Sequence, residues 1–218
     1  MDLVSVAEND PIGVAIVDEN LRDGRIAPQL STYFYGFNLQ RAPFKDAPKI
    51  RRALSLVIDR DKLTKLVLRV GELPAYGWVP PGIPGYTSQS FDYRDLPMAQ
   101  RIAEAQQLFR AAGYSADKPL AFELRYNSGE VHTKVAIAVA AMWKEALGVE
   151  VRLTQTEFKS LLQDIDRGDV ELFRSSWVGD YNDPYTFAQY LKSDFGVNLP
   201  HYRSPAYDAL LHLSLIHI

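Results

Sequence analysis

Leu120-Ala-Phe-Glu-Leu-Arg-Tyr126, Val149-Glu-Val-Arg-Leu153 and Val170-Glu-Leu-Phe-Arg174 are three short runs in which apolar and polar residues alternate. A period of two marks strands with one face buried. Between the first two runs, a segment opened by Ser128 and ended by Gly148 has the apolar spacing and length of a helix. Between the second and third, Phe158, Leu161, Leu162 and Ile165 make a shorter helix that stops at Gly168. Strand, helix, strand, helix, strand is the order that builds a largely parallel sheet with right-handed crossovers. This stretch makes the chain an α/β protein.

Downstream, the third strand runs into Phe173–Pro184, F-R-S-S-W-V-G-D-Y-N-D-P. Asp183-Pro184 reads as an N-cap with proline at the first helical position, opening Y-T-F-A-Q-Y-L. Arg174, Trp177 and Asp180 are thus expected where a strand meets a helix start, the usual ligand position in α/β sheets. Upstream, Thr32–Asn38 (T-Y-F-Y-G-F-N) is a candidate strand, and residues 1–30, with short apolar runs such as Gly13–Val17 between Asp, Asn, Gly and Pro, read as loops with at most one strand. From Pro48 the pattern turns helical, with Ile50, Ala53, Leu54, Val57 and Ile58 on one face, and a second helix is expected over Asp61–Val70. Gly71–Gly85 is a Pro/Gly/aromatic loop without elements of its own, of the kind that covers or lines a site. Asp95 is the expected cap of a helix carrying Met98, Ile102, Ala105, Phe109 and Ala112, with Gly113 as its stop.

Composition narrows the function. With 218 residues, 47% hydrophobic and 23% charged, the chain can bury a sizeable core. A net charge of −3 offers no basic patch, which argues against nucleic acid as the partner. Zero cysteines excludes disulfides, thiolate catalysis and zinc–thiolate sites. No run approaches the roughly 18 apolar residues of a membrane span, and no signal peptide opens the sequence. Catalytic signatures are missing as well: no G-x-S-x-G, no phosphate-binding G-x-x-x-x-G-K-[ST], no H-E-x-x-H and no G-x-G-x-x-G opening a helix. His132, His201, His212 and His217 show no ligand spacing, and Asp180–Asp183 fails the calcium-loop template at Pro184. No enzyme, metal or cofactor is expected.

A binding role has better physics. Asp180 beside Trp177 offers a carboxylate on an aromatic wall, suited to a primary ammonium. Arg174 suits a carboxylate or a balancing pair with Asp180, and His132 sits in the first turn of a helix, where the dipole favours anions. A ligand with both an ammonium and a carboxylate is a peptide or an amino acid. Plainer roles stay open: Asp180 as a turn aspartate held by backbone amides, Arg174 in a structural ion pair, Trp177 as core, His132 as a solvated helix residue.

Several stretches together resemble the family 5 extracellular solute-binding proteins, receptors of bacterial ABC importers, and within them the oligopeptide-binding branch. They are A-P-F-K-D-A-P-K-I-R-R-A-L-S-L-V-I-D-R at 42–60, L-P-A-Y-G-W-V-P-P at 73–81, A-G-Y-S-A-D-K-P-L at 112–120, Y-N-S-G-E-V-H-T-K-V-A-I-A at 126–138, W-V-G-D-Y-N-D-P at 177–184 and H-Y-R-S-P-A-Y-D at 201–208. The resemblance implies a class II periplasmic-binding-protein-like lobe, with a mixed, largely parallel sheet flanked by helices, from an incomplete two-lobe protein. It implies that Asp180 holds a peptide's α-ammonium, that Arg174 and His132 help take its C-terminal carboxylate, and that Trp177 and Gly179 line the backbone track. Asn127, Phe34 and Phe158 complete the expected ligand-lining set. Short peptides and a membrane permease complex are the implied partners of a monomeric periplasmic or lipid-anchored receptor whose signal sequence lies outside this stretch. Nickel chelates, haem and oligosaccharides are the alternative cargoes of the same family.

Two departures bear on specificity. Phe34 and Gly36 stand where close oligopeptide binders are expected to carry a tyrosine and a glutamate, and Ile165 where some relatives have a basic residue. The resemblance also divides the chain into 1–30, a remnant of the first lobe, and 31–212, the second lobe. Residues 213–218, Leu-Ser-Leu-Ile-His-Ile, resemble the translation of a library adapter and are expected to be an artefactual tail, with a genuine apolar segment as the alternative.

Overall fold

The computed structural model describes residues 3–8, 29–69 and 71–216, with backbone alone at 3–8, 215 and 216. The Gly13–Val17 run, Val70 and His217–Ile218 lie outside the described residues. Six strands, β1 (Leu3–Glu8), β2 (Ser31–Phe37), β3 (Leu73–Pro74), β4 (Ala121–Asn127), β5 (Glu150–Thr156) and β6 (Leu172–Val178), form one sheet in the order β3-β1-β2-β6-β4-β5. The sheet is mixed. β4 pairs in parallel with β5 and β6, which is the part the alternating strand–helix order dictates. The β1–β2, β1–β3 and β2–β6 pairs are antiparallel.

Every residue of β2 is buried, so its period-two pattern appears as two cores rather than as a wet and a dry face. Tyr33, Tyr35 and Phe37 point to one side, where they meet Phe122, Leu124, Tyr126 and Leu172 of the sheet. Helices α1 (Pro48–Leu56), α3 (Met98–Ala111) and α4 (Glu130–Leu147) close this larger core with Ile50, Leu54, Phe109, Val139 and Trp143. Phe34 and Phe173 point to the other side, under Leu161 and Ile165 of α5 (Phe158–Asp166) and Tyr190. The remaining helices are α2 (Arg60–Lys62, continuing as a π-helix over Leu63–Leu68), α6 (Tyr185–Ala188) and α7 (Pro205–Ile216).

Several local expectations change. Asp95 does not cap α3: its side chain is 98% exposed, and Pro97 occupies the N-cap position. Ser128 does not cap α4; Gly129 stands there, and the Thr133 hydroxyl donates to its carbonyl at 2.9 Å. The Gly71–Gly85 loop contains β3, recruited as a partner for β1. The third strand of the alternating stretch runs to Val178 rather than stopping at Arg174, because β2 pairs with it along its whole length, from Phe37↔Leu172 to Ser31↔Val178. Trp177 is therefore a strand residue. Asp183 is not the N-cap of α6 either: Pro184 holds that position, one residue later than expected, and the Asp183 carboxylate accepts from the Tyr185 N–H at 2.7 Å.

Candidate ligand-binding site

Because β4, β5 and β6 are parallel, their C-terminal ends fall on one edge of the sheet, at Asn127, Thr156 and Val178. Helices α4 and α5 start just beyond the first two ends. The antiparallel β2 begins at the same edge, where Ser31 faces Val178. The carboxyl edge of strands in an open α/β sheet is where ligands dock. Asn127, His132, Phe158, Trp177, Gly179 and Asp180 all lie at or just past it, and Arg174 lies a short way inside.

Asp180 follows β6 by two residues. Its backbone N–H donates to the Thr186 hydroxyl at 3.0 Å, while its carboxylate is exposed and makes no hydrogen bond or ion pair among the described residues. The expected balancing pair between Arg174 and Asp180 does not form. The neighbouring Tyr181 phenol is held above its ordinary pKa, first by burial and then by Tyr185 and the carboxylates of Asp183 and Asp180. An exposed carboxylate with no cation beside it suits a cationic partner.

Arg174 is the opposite kind of group. It is 6% exposed, donates to Asn127 Oδ1 at 3.2 Å and to Ser176 Oγ at 3.4 Å, and lies 4.5 Å from the centre of the Tyr33 ring. His132 stacks near the same ring, with centroids 5.7 Å apart. Burial and, secondarily, the Arg174 charge push the His132 imidazole down to about 4, so it is neutral at pH 7. Its Nδ1 is buried with no hydrogen-bond partner. A buried guanidinium and a neutral imidazole thus share one tyrosine ring just inside this edge.

Trp177 packs between Tyr190 and Phe195, and its indole N–H donates to the Thr186 carbonyl at 2.8 Å. Gly179 is closely packed: a Cβ there would meet Leu30 at 3.0 Å and Phe187 and Thr186 at 3.2 Å, and its N–H donates to the Leu30 carbonyl at 2.8 Å. Phe158, 52% exposed, stands at the first position of α5 on the edge. Phe34 is the correction in the set. It is wholly buried against Trp78 and Tyr190 and offers no surface to a ligand, because β2 is an inner strand with both faces covered. Beside it, the Phe173 ring occupies the space a Cβ on Gly36 would need, at 2.3 Å, so no side chain fits at that position. Sequence reasoning missed Trp78 and Thr186. The only signal was that both are large or polar residues in stretches rich in turn formers.

The fold and this edge define the chain as an α/β ligand-binding lobe. The model for "Bacterial extracellular solute-binding proteins, family 5 Middle" matches residues 1–198, and the chain belongs to that family. It is 43% identical over 184 residues to the periplasmic murein peptide-binding protein MppA of Escherichia coli, covering 84% of this chain and 34% of the relative. It is 42% identical over 187 residues to the periplasmic oligopeptide-binding protein OppA of Salmonella typhimurium, covering 86% and 34%. A probable deoxycholate-binding periplasmic protein of E. coli, YgiS, is also 42% identical, over 86% of this chain and 35% of its own length. Among solved structures, Haemophilus influenzae OppA in complex with RPPGFSPFR superimposes with a TM-score of 0.86 at 36% identity, over 98% of this chain and 42% of that one. The unliganded open form of MppA gives 0.82 at 42% identity, over 85% and 36%. The chain spans about a third of the length of these curated relatives.

Proposed function

We propose that the chain is the ligand-holding lobe (residues 31–212) of a periplasmic receptor that captures short peptides for a bacterial ABC importer. Asp180 takes the α-ammonium, the peptide backbone is held by strand-like hydrogen bonds along the sheet edge, and Arg174 with His132 receives the carboxylate of a short peptide. A second lobe closes over the ligand about a hinge, and the closed receptor is presented to the membrane permease. The observation that carries this reading is the Asp180 carboxylate, exposed at the strand edge and without a partner while its backbone is fixed. Relatives named for murein peptides and oligopeptides support the peptide class. The relative named for deoxycholate supplies the alternative, a cargo with a carboxylate and no ammonium.

The test is a two-dimensional amide NMR titration of the full chain, which detects millimolar binding. A free tripeptide is expected to shift the amides of Gly179 and Asp180, and its N-acetylated form to leave them in place. Shifts by deoxycholate but by neither peptide would replace the peptide reading with the alternative. Identical shifts by both peptides would move the anchor away from Asp180.

A further inference from the structure

The Asp180 carboxylate is free, but the backbone beneath it is not, and what holds that backbone comes from two distant parts of the chain. Helix α6 has only four residues, too few to be stable alone. Two indoles grip it. Trp177 on β6 donates to the carbonyl of Thr186 at 2.8 Å, and Trp78, 109 residues before Phe187, donates to the carbonyl of Phe187 at 2.6 Å. Trp78 is itself pinned, its carbonyl accepting from the Thr32 hydroxyl at 3.0 Å and its ring packed on Phe34, Phe187 and Tyr190. The helix so fixed carries Thr186, which has no exposed surface. The Thr186 hydroxyl oxygen accepts the Asp180 N–H at 3.0 Å, while its methyl, with Leu30 and Phe187, crowds the space beside Gly179.

From this geometry we infer that Thr186, held by the Trp78 and Trp177 indoles, is the positioning residue for Asp180: it fixes the carboxylate that selects an ammonium-bearing ligand. The inference rests on the peptide reading above. It adds a different group, one that touches no ligand, and it gives the Pro/Gly-rich 71–85 loop a task, since that loop delivers Trp78. A hydroxyl is needed because the Thr186 side chain is the acceptor of the Asp180 N–H among the described residues. Valine has nearly the same shape and no acceptor; serine keeps the acceptor and loses the methyl.

The experiment compares wild type, Thr186→Val and Thr186→Ser as full chains, with two readouts. The first is hydrogen exchange of the Asp180 amide without ligand. Protection is expected in wild type and Thr186→Ser, and loss of about tenfold in Thr186→Val. The second is the ratio of affinities for a free tripeptide and its N-acetylated form. Thr186→Val is expected to lower that ratio about tenfold, and Thr186→Ser to restore it. A purely structural role would weaken both ligands alike and leave the ratio unchanged, which overturns the inference. So would equal Asp180 protection in all three chains. A wild type that discriminates, with a Thr186→Val variant that discriminates equally, sinks the positioning role alone. A wild type that binds both peptides alike removes the ammonium reading and the inference with it.

Discussion

The two charged ends of the candidate site are built on opposite principles. At one end Asp180 keeps its charge in water and its backbone locked, so on the proposed reading the cost of desolvating the carboxylate would be incurred only when a ligand arrives. At the other end Arg174 is already desolvated, and its charge is spread over Asn127, Ser176 and the Tyr33 ring. A group of the first kind contributes to binding and little to folding. One of the second kind contributes to folding first, and to binding only through donors left over. The difference teaches that a functional charge and a structural charge are told apart by their partners in the empty protein, not by residue type.

Mutation can break that contrast. Asp180→Asn is expected to have the largest effect on binding, a loss of roughly 3–5 kcal/mol, or about two to three and a half decades in affinity for a free tripeptide. Its unfolding free energy from urea denaturation should stay within about 0.5 kcal/mol of wild type. Arg174→Met should invert the pattern, lowering stability by about 2–3 kcal/mol because it strips hydrogen bonds from a buried cation site; equal stability would show that this end is not structural. Gly179→Ala should cost about 1–2 kcal/mol, since Leu30, Phe187 and Thr186 must all yield to the new methyl, and thermal unfolding measures it.

A separate expectation sharpens the comparison through pH. Folded His132 titrates at about 4, against an ordinary 6.5 for the unfolded chain. Between these values the unfolded state holds more protons, so this residue makes stability rise from pH 4 to 6.5 and level off above. Subtracting the melting curve of His132→Gln from that of wild type across this range isolates the slope, and a flat difference would place His132 outside the buried cluster. An anion received there should raise the His132 pKa, read directly from its imidazole carbon-bound proton resonances with and without a tripeptide.

Much of this was legible in the residues. Alternation at Leu120–Tyr126 and Val149–Leu153, with a helical pattern stopping at Gly148, reports short-range geometry, and the parallel half of the sheet follows from it. The turn chemistry of Asp183-Pro184 placed Asp180 between a strand and a helix, where it is found. The missed features are non-local. Asp95 and Ser128 have the right chemistry for caps, yet Pro97 and Gly129 take those positions because packing sets where each helix begins. Phe34 looks like a binding aromatic, and only the strands on both sides of β2 reveal that it has no free face.

The sequence by itself determined the strand–helix alternation from β4 to β6, the carboxyl-edge loop and the family, because periodicity, turn residues and short motifs are properties of neighbours along the chain. Tertiary structure alone decided that β2 lies antiparallel beside β6, that Arg174 is buried and Asp180 free, and that two tryptophans far apart in sequence hold Thr186 under Asp180. Those outcomes depend on which distant segments pack together. Burial and hydrogen-bond partners are fixed only when that packing is complete.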